Sequence, residues 1–289
     1  ETFDSGKQWL FKSNLPITQF YRIAVDNSEP FYWVYGGTQD NNSLGAPSQT
    51  INEEGIMNAD WIPTLGGDGF EPQVDPTDPN IIYTQYQYGE LHRYDKKSGE
   101  LTHIHMMEKL GEEPYRRHWD SPLIISPHKS TTLYYAANKV FKSDDRGDNW
   151  EVISPDLSKQ LDRNKLEIMD RVWSVDAVAK NASTSFYGTV VSLSESPIVE
   201  GLIYAGTDDG LIQVTEDGGK NWRKIESFPD VPELSYVSFL FASEHEANTV
   251  YATFDNHKMA DFKPYVLVSK DRGKSWKSIT GDLKDGQIV

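Results

Sequence analysis

Short clusters of carboxylates, amides and aromatic rings recur along this chain, and their side chains suit recognition of a polar ligand. Gln39, Asp40 and Asn41 form one cluster, and Tyr86, Gln87 and Tyr88 a second. Arg116, Arg117, His118, Trp119 and Asp120 form a third, the most unusual local chemistry on an acidic chain. Asn138, the pair Asp208 and Asp209, and the run Asp255, Asn256 and His257 add to the set. Rings stack on the apolar faces of a sugar or peptide, while amides and acids take its hydroxyl and backbone groups. Asp40 and Asp68 are the carboxylates to weigh as catalytic groups. Hydrolysis with inversion needs two acids far enough apart to admit a water, and these could supply one of them. No Gly-x-Ser-x-Gly or His-Glu-x-x-His pattern occurs, so serine-hydrolase and zincin chemistry has no visible foothold.

Each cluster also has a plainer structural role open to it. Asp40 and Asp68 could hold turns, and Asp208-Asp209-Gly210 reads first as a hairpin turn. The run from Arg116 to Asp120 could equally fasten neighbouring elements through arginine–carboxylate pairs. His92, His103 and His105 alternate along a strand and read as surface or packing residues rather than metal ligands. No loop spells an EF-hand, and neither a metal nor a cofactor is expected.

The elements that position these clusters announce themselves by repetition. The pattern Ser/Thr-x-Asp-x-Gly-x-x-Trp occurs four times: at Thr2, Asp4, Gly6 and Trp9; at Ser143, Asp145, Gly147 and Trp150; at Thr215, Asp217, Gly219 and Trp222; and at Ser269, Asp271, Gly273 and Trp276. Asp accepts hydrogen bonds from the backbone of its own turn, and Gly supplies a left-handed position. The pattern therefore predicts a β-hairpin whose return strand begins at Trp. A second repeat places a Tyr after a β-branched residue or Leu, at Tyr35, Tyr83, Tyr134, Tyr204 and Tyr251. The spacing is about 50 residues, with a longer step between Tyr134 and Tyr204, and four strands per unit at that period mean propeller blades.

The expected architecture is an all-β propeller forming a single domain. Blades are expected at 17–64, 66–108, 118–157, 185–228 and 235–282, with an insert or long connection at 158–184. Residues 1–12 read as the terminal hairpin of an incomplete blade, so the register points to part of a larger propeller. The rest of the ring would come from the same propeller or from another polypeptide. In the first blade, 41–60 reads as an irregular stretch replacing the outer half. Loops alternate between two faces of a blade, so the clusters named above fall together opposite the Asp-Gly turns.

These hairpins resemble the Asp-box, or bacterial neuraminidase repeat, of sialidases, two-propeller xyloglucanases and the sortilin-type propeller. The stretch from Tyr35 to Asn41, Gly66 to Gly69 followed by VDPTDPNIIY, and Trp119 to Pro122 look most like large bacterial proteins described as sortilin-like or glycosyl-hydrolase-like. The resemblance implies the fold, and a place in the cell envelope or outside the cell. It does not choose a chemistry, because propellers host unrelated ones. A sialidase-like Phe/Tyr-Arg-Ile-Pro motif is approached at Phe20-Tyr21-Arg22-Ile23-Ala24, with Ala in place of Pro. The first reading is a propeller that binds a glycan or extended peptide through the face opposite the Asp-boxes. The alternatives are a xyloglucanase-like hydrolase with part of its cleft outside this chain, and a structural or assembly scaffold.

Composition narrows the partners. The 289 residues carry 28 Lys+Arg against 44 Asp+Glu, a net charge of −16, which argues against nucleic acid or an anionic membrane as partner. No apolar run approaches the roughly 20 residues of a membrane helix. The opening ETFDSGKQW has no leader-peptide pattern. With no Cys, disulfides and thiolate chemistry are excluded. Asn41-Asn-Ser43 and Asn181-Ala-Ser183 match the glycosylation triplet, a weak pattern that matters only in a eukaryotic secretory route.

Overall fold

The tyrosine segments form the second strand in each of five four-stranded antiparallel sheets. A computed structural model describes residues 2–10, 18–167, 170–178 and 186–287. The triplet at Asn181 lies outside them, as does part of the 158–184 insert. The first blade comprises β1 (Phe20–Val25), β2 (Trp33–Thr38), β3 (Ser43–Pro47) and β4 (Ile62–Leu65). The second holds β5 (Gln73–Val74), β6 (Ile81–Tyr86), β7 (Glu90–Asp95) and β8 (Leu101–His103), and the third β9 (Leu123–Ile125), β10 (Leu133–Ala136), β11 (Val140–Ser143) and β12 (Glu151–Val152). The fourth runs through β13 (Val190–Glu195), β14 (Ile203–Thr207), β15 (Ile212–Thr215) and β16 (Arg223–Ile225). The fifth runs through β17 (Tyr236–Ala242), β18 (Val250–Asn256), β19 (Asp261–Ser269) and β20 (Lys277–Ser278). Among the described residues no helix is long and apolar enough to cross a membrane.

Each hydrophobic core lies between two blades rather than within one. Tyr83, Leu91 and Ile104 of the second blade pack on Leu123, Leu133 and Phe141 of the third. Tyr134 and Val140 pack on Val190 and Ile203, and Tyr204 and Val214 on Val237 and Phe254. A strand covered on both faces has no solvent side to show, which is why β10 and β14 are buried throughout and carry no charged residue. Full burial of one such side chain contributes about 1.5–3 kcal/mol.

The Asp-boxes form one turn in every copy. Ser143 Oγ accepts from Gly147 N at 2.8 Å, and Asp145 Oδ1 accepts from Asn149 N at 2.8 Å. Thr215 with Asp217, and Ser269 with Asp271, repeat the arrangement. Two consecutive residues are left-handed: Arg146 and Gly147, Gly218 and Gly219, Arg272 and Gly273. The turn then docks on the preceding blade. Arg93 donates to Arg146 O at 2.8 Å, and Arg223 donates to Arg272 O at 2.6 Å. The second blade's hairpin, which lacks the Trp, still sends a cation across its seam: Lys96 Nζ lies 3.2 Å from Asp26 Oδ2 of the first blade.

Two expectations change. Residues 41–60 are not irregular throughout, because Ser43–Pro47 pairs with both β2 and β4. The backbones of Gly37 and Gly69 approach so closely there that a Cβ on Gly37 would stand 2.1 Å from Phe70 O. The copy at Asp4 folds its turn, with Lys7 N and Gln8 N each donating to Asp4 Oδ1 at 2.9 Å, but no strand forms among residues 2–10, and residues 1, 11 and 12 of the expected hairpin lie outside the described residues.

Candidate functional site

The first strand of each blade lies innermost, with β1 against β5, β5 against β9, β9 against β13 and β13 against β17. These strands start on the face opposite the Asp-boxes. Three of them slip register at that end: between Phe20 and Arg22, between Val190 and Ser192, and between Tyr236 and Phe239. A bulge bends the strand and re-aims its side chains. Here the bulged ends carry Tyr21, Arg22 and Tyr236 to the channel mouth.

Aromatic rings line one side of that mouth. The buried Phe70 backs them, 4.7 Å from Tyr21 and 6.2 Å, edge-on, from Trp119. Tyr88 meets Trp119 edge-on at 5.0 Å, and Tyr88 N donates to Trp119 O. His118 stands 5.8 Å from the Tyr236 ring, so residues of the third and fifth blades face each other across the channel.

Carboxyl groups held against ionisation line the remainder. Burial pushes Glu71 up to about 7, with Asp120 adding repulsion and Arg22 opposing it. Burial likewise pushes Asp120 up to about 6, against Arg22, and Asp120 Oδ1 has no hydrogen-bond partner. Each group still touches solvent in the channel. The protein packed around it on nearly every other side governs what its charge feels. Burial raises Asp208 to about 7 despite three hydrogen bonds from Gly188 and Thr189. Burial also takes His118 down to about 4, so it is neutral near pH 7.

The clusters read from sequence divide between this mouth and its supports. Asp40 N donates to Asp68 Oδ1 at 2.7 Å, and a hydrogen bond with Asp68, then its charge, raises the Asp40 carboxyl. Two carboxyls in contact act as one unit and cannot flank a water as an inverting pair. Gln39 and Asn41 are exposed on the same loop, where Asn41 Nδ2 donates to Gln39 O. Trp119, Tyr88, His118, Asp120 and Asp208 reach the channel region, while Tyr86 stacks outward on His92 at 5.8 Å. Arg116 donates to Asp156 Oδ2 at 2.6 Å and to Ser158 Oγ and Gly188 O, which fastens the third blade to the fourth. Asn138 belongs to the same latch, and Arg117 binds Glu108 and Met106 O. Asp255 pairs with His257 at 2.6 Å on the surface.

No sequence pattern marks Glu71 or Tyr236, and Tyr21 and Arg22 stand out only through the incomplete sialidase-like motif. Their shared signal is position: each sits at or just before the start of an inner strand. A separate cleft of about 450 Å³ opens between the second and third blades on the Asp-box side, lined by Arg93, Asp145, Arg146 and Asp148. Both of its arginines are paired across the seam, Arg93 with Asp148 and Arg146 with Asp75, so it serves as a joint rather than as the site.

Comparison with known proteins agrees with this architecture. The BNR-Asp box repeat family matches residues 267–279. The xyloglucanase Xgh74A of Acetivibrio thermocellus is 22% identical over 247 residues, covering 76% of this chain and 26% of its own length. The oligoxyloglucan-reducing end-specific xyloglucanase of Emericella nidulans is 20% identical over 258 residues, covering 84% of this chain and 28% of its own. This chain thus spans little more than a quarter of those relatives. The crystal structure of an ancestral GH74 enzyme superposes with a TM-score of 0.61 at 16% identity, over 93% of this chain and 32% of that one. At that identity the likeness shows the fold: the five sheets are blades of an Asp-box β-propeller.

Proposed function

We propose that this propeller binds a glycan at the channel mouth opposite its Asp-boxes, outside the cytoplasm. The observation that carries the reading is the aromatic wall of Tyr21, Trp119 and Tyr88, backed by the buried Phe70, beside the carboxyls of Asp40, Asp68 and Asp120. Flat rings take the apolar face of a sugar, and carboxyls take its hydroxyls. An extended peptide is the second ligand class that such a wall fits. The relatives named as xyloglucanases favour the glycan. Completion of the ring belongs to the same reading. The exposed Ile23 and Val25 on β1, and Phe239 and Phe241 on β17, fit the sheet of a further blade, from the same polypeptide or another.

A second reading, cleavage, rests on Glu71 and Asp120. A buried carboxyl still protonated near neutral pH can donate to a leaving oxygen, and a neighbour that ionises earlier can act as base. One experiment addresses both readings: a glycan array on the purified chain, followed by titration of hits and product analysis. Trp119→Ala is expected to weaken binding at least about ten-fold, the loss of one stacked ring. If Glu71→Gln and Asp120→Asn abolish product release while binding persists, the protein is a hydrolase. If neither a glycan nor an extended peptide binds at millimolar concentration, the binding reading falls and the scaffold alternative replaces it.

A further inference from the structure

Strand register in the second blade gathers polar side chains on its two outer strands. Residues two apart on a strand share a face, so Glu90 lies with His92 on β7, and His103 with His105 at the end of β8. His92 stands opposite His103 in the antiparallel pair, which brings Glu90 opposite His105. Glu90 Oε2 accepts from His103 Nε2 at 3.1 Å and from His105 Nδ1 at 2.8 Å. These three atoms all lie within 4.8 Å of one another. The His92 ring backs that of His103 at 4.8 Å and fixes its tilt. Three of the chain's 7 histidines therefore meet beside one carboxylate.

We propose that Glu90, His103 and His105 form a binding site for a zinc-class divalent transition-metal ion. Two imidazole nitrogens and one carboxylate oxygen are a donor set of that class. Metal–ligand bonds of about 2.0–2.2 Å in a tetrahedron place the donor atoms about 3.3 Å apart. The two Glu90 contacts open by a few tenths of an ångström to reach that spacing, and the two imidazole nitrogens, within 4.8 Å of each other, close to it by a turn of the half-exposed His103 ring. The His105 side chain is 5% exposed and the His103 side chain 50% exposed, so the site has a fixed inner wall and an open outer one. Solvent-side positions are left for water. Arg117 is the cation that acts on His105 from the protein side. The guanidinium of Arg117 is itself paired with Glu108 at 3.0 Å, and a chain of net charge −16 draws cations toward it.

The test is titration of the chelator-stripped full chain with Co²⁺, read by visible absorption, and with Zn²⁺, read by calorimetry. One equivalent of Co²⁺ is expected to give ligand-field bands that Zn²⁺ abolishes. His103→Ala, half in solvent and therefore harmless to the fold, is expected to weaken Zn²⁺ binding by about 100-fold, and Glu90→Gln by at least about ten-fold. His245→Ala, at an exposed histidine elsewhere, is expected to leave binding unchanged. Equal uptake by wild type, His103→Ala and Glu90→Gln would overturn the site, as would absence of a stoichiometric Co²⁺ spectrum. In either case the three groups are an ion-paired network alone.

Discussion

The Asp-box at Asp4 and the one at Asp145 fold the same turn in opposite surroundings. In both, Asp Oδ1 accepts the backbone N–H four residues on, at 2.9 Å and 2.8 Å. In both, the residue before Gly and the Gly itself are left-handed. The tryptophans part company. Trp150 is half-buried against Tyr135, and its Nε1 donates to Ile104 O of the preceding blade at 2.7 Å. Trp9 is 73% exposed, and its Nε1 turns back to Gly6 O within its own turn. The motif therefore contains two separable devices: a turn that closes locally, and a ring that needs a neighbouring blade. The same contrast appears at the scale of whole sheets. In β14 every residue is buried, whereas β18 alternates buried and partly exposed residues and leaves its repeat tyrosine, Tyr251, 39% exposed. One face of the last blade is unpacked, and so is one face of the first.

Removing each ring in turn is the largest test of that separation. Trp150→Ala is expected to cost about 3 kcal/mol, through lost burial and a stranded Ile104 carbonyl. Trp9→Ala is expected to stay within about 0.5 kcal/mol, as for an exposed surface change. Urea midpoints of the two variants decide it. A comparable loss at Trp9 would mean that this turn is packed in solution after all, and the two-device reading would go.

A smaller difference is expected at the glycines. At Gly219 φ is +98°, and an added Cβ would stand 2.5 Å from Ile153 O in the preceding blade. Gly219→Ala therefore combines backbone strain with a clash against main chain and is expected to cost about 2 kcal/mol. Gly6 is also left-handed, but the nearest atom to its Cβ would be a Trp9 ring carbon at 4.0 Å. Gly6→Ala should cost only the strain, about 1 kcal/mol. Equal costs by thermal unfolding would locate the whole penalty in the turn and none at the seam.

What was legible in the sequence follows the same line between local and non-local. Asp145, Gly147 and Trp150 could be read because a turn is specified by residues within one short span. Tyr35 and Tyr204 could be read because strand and period recur. Arg116 was visible as unusual, yet its partners Asp156 and Gly188 lie 40 and 72 residues away, so latch and ligand contact looked alike. Glu71 carried no pattern at all. Its position beside Asp120 and Arg22 depends on the inner strands standing around one channel, and on register slips that no spacing rule supplies. The three histidines were seen as an alternating set, but Glu90 joins them only through the pairing of β7 with β8.

The two faces should also separate in their response to pH, the smallest of the expected effects. On the Asp-box face, hydrogen bonds from Asn221 to Asp217 and from Ser275 to Asp271 hold both carboxyls down at about 2. A folded-state pKa below the unfolded value gives stability that is present above about pH 4 and lost as pH falls toward 2. At the channel mouth the sign reverses. Glu71 at about 7 and Asp120 at about 6 bind protons in the folded state that the unfolded chain has already released. Their effect is a loss of stability as pH rises from about 4 to 7, and no further change above that. Glu71→Gln removes one of these groups without removing the neutral hydrogen-bonding shape. The variant is expected to match wild type near pH 4 and to exceed it by about 1 kcal/mol at pH 8, a figure reduced for the solvent that reaches the channel. Urea midpoints across pH 4–8 measure it. Parallel curves for the two proteins would mean that Glu71 ionises freely in the folded state, and the channel would then be a wet opening rather than a site that holds a proton.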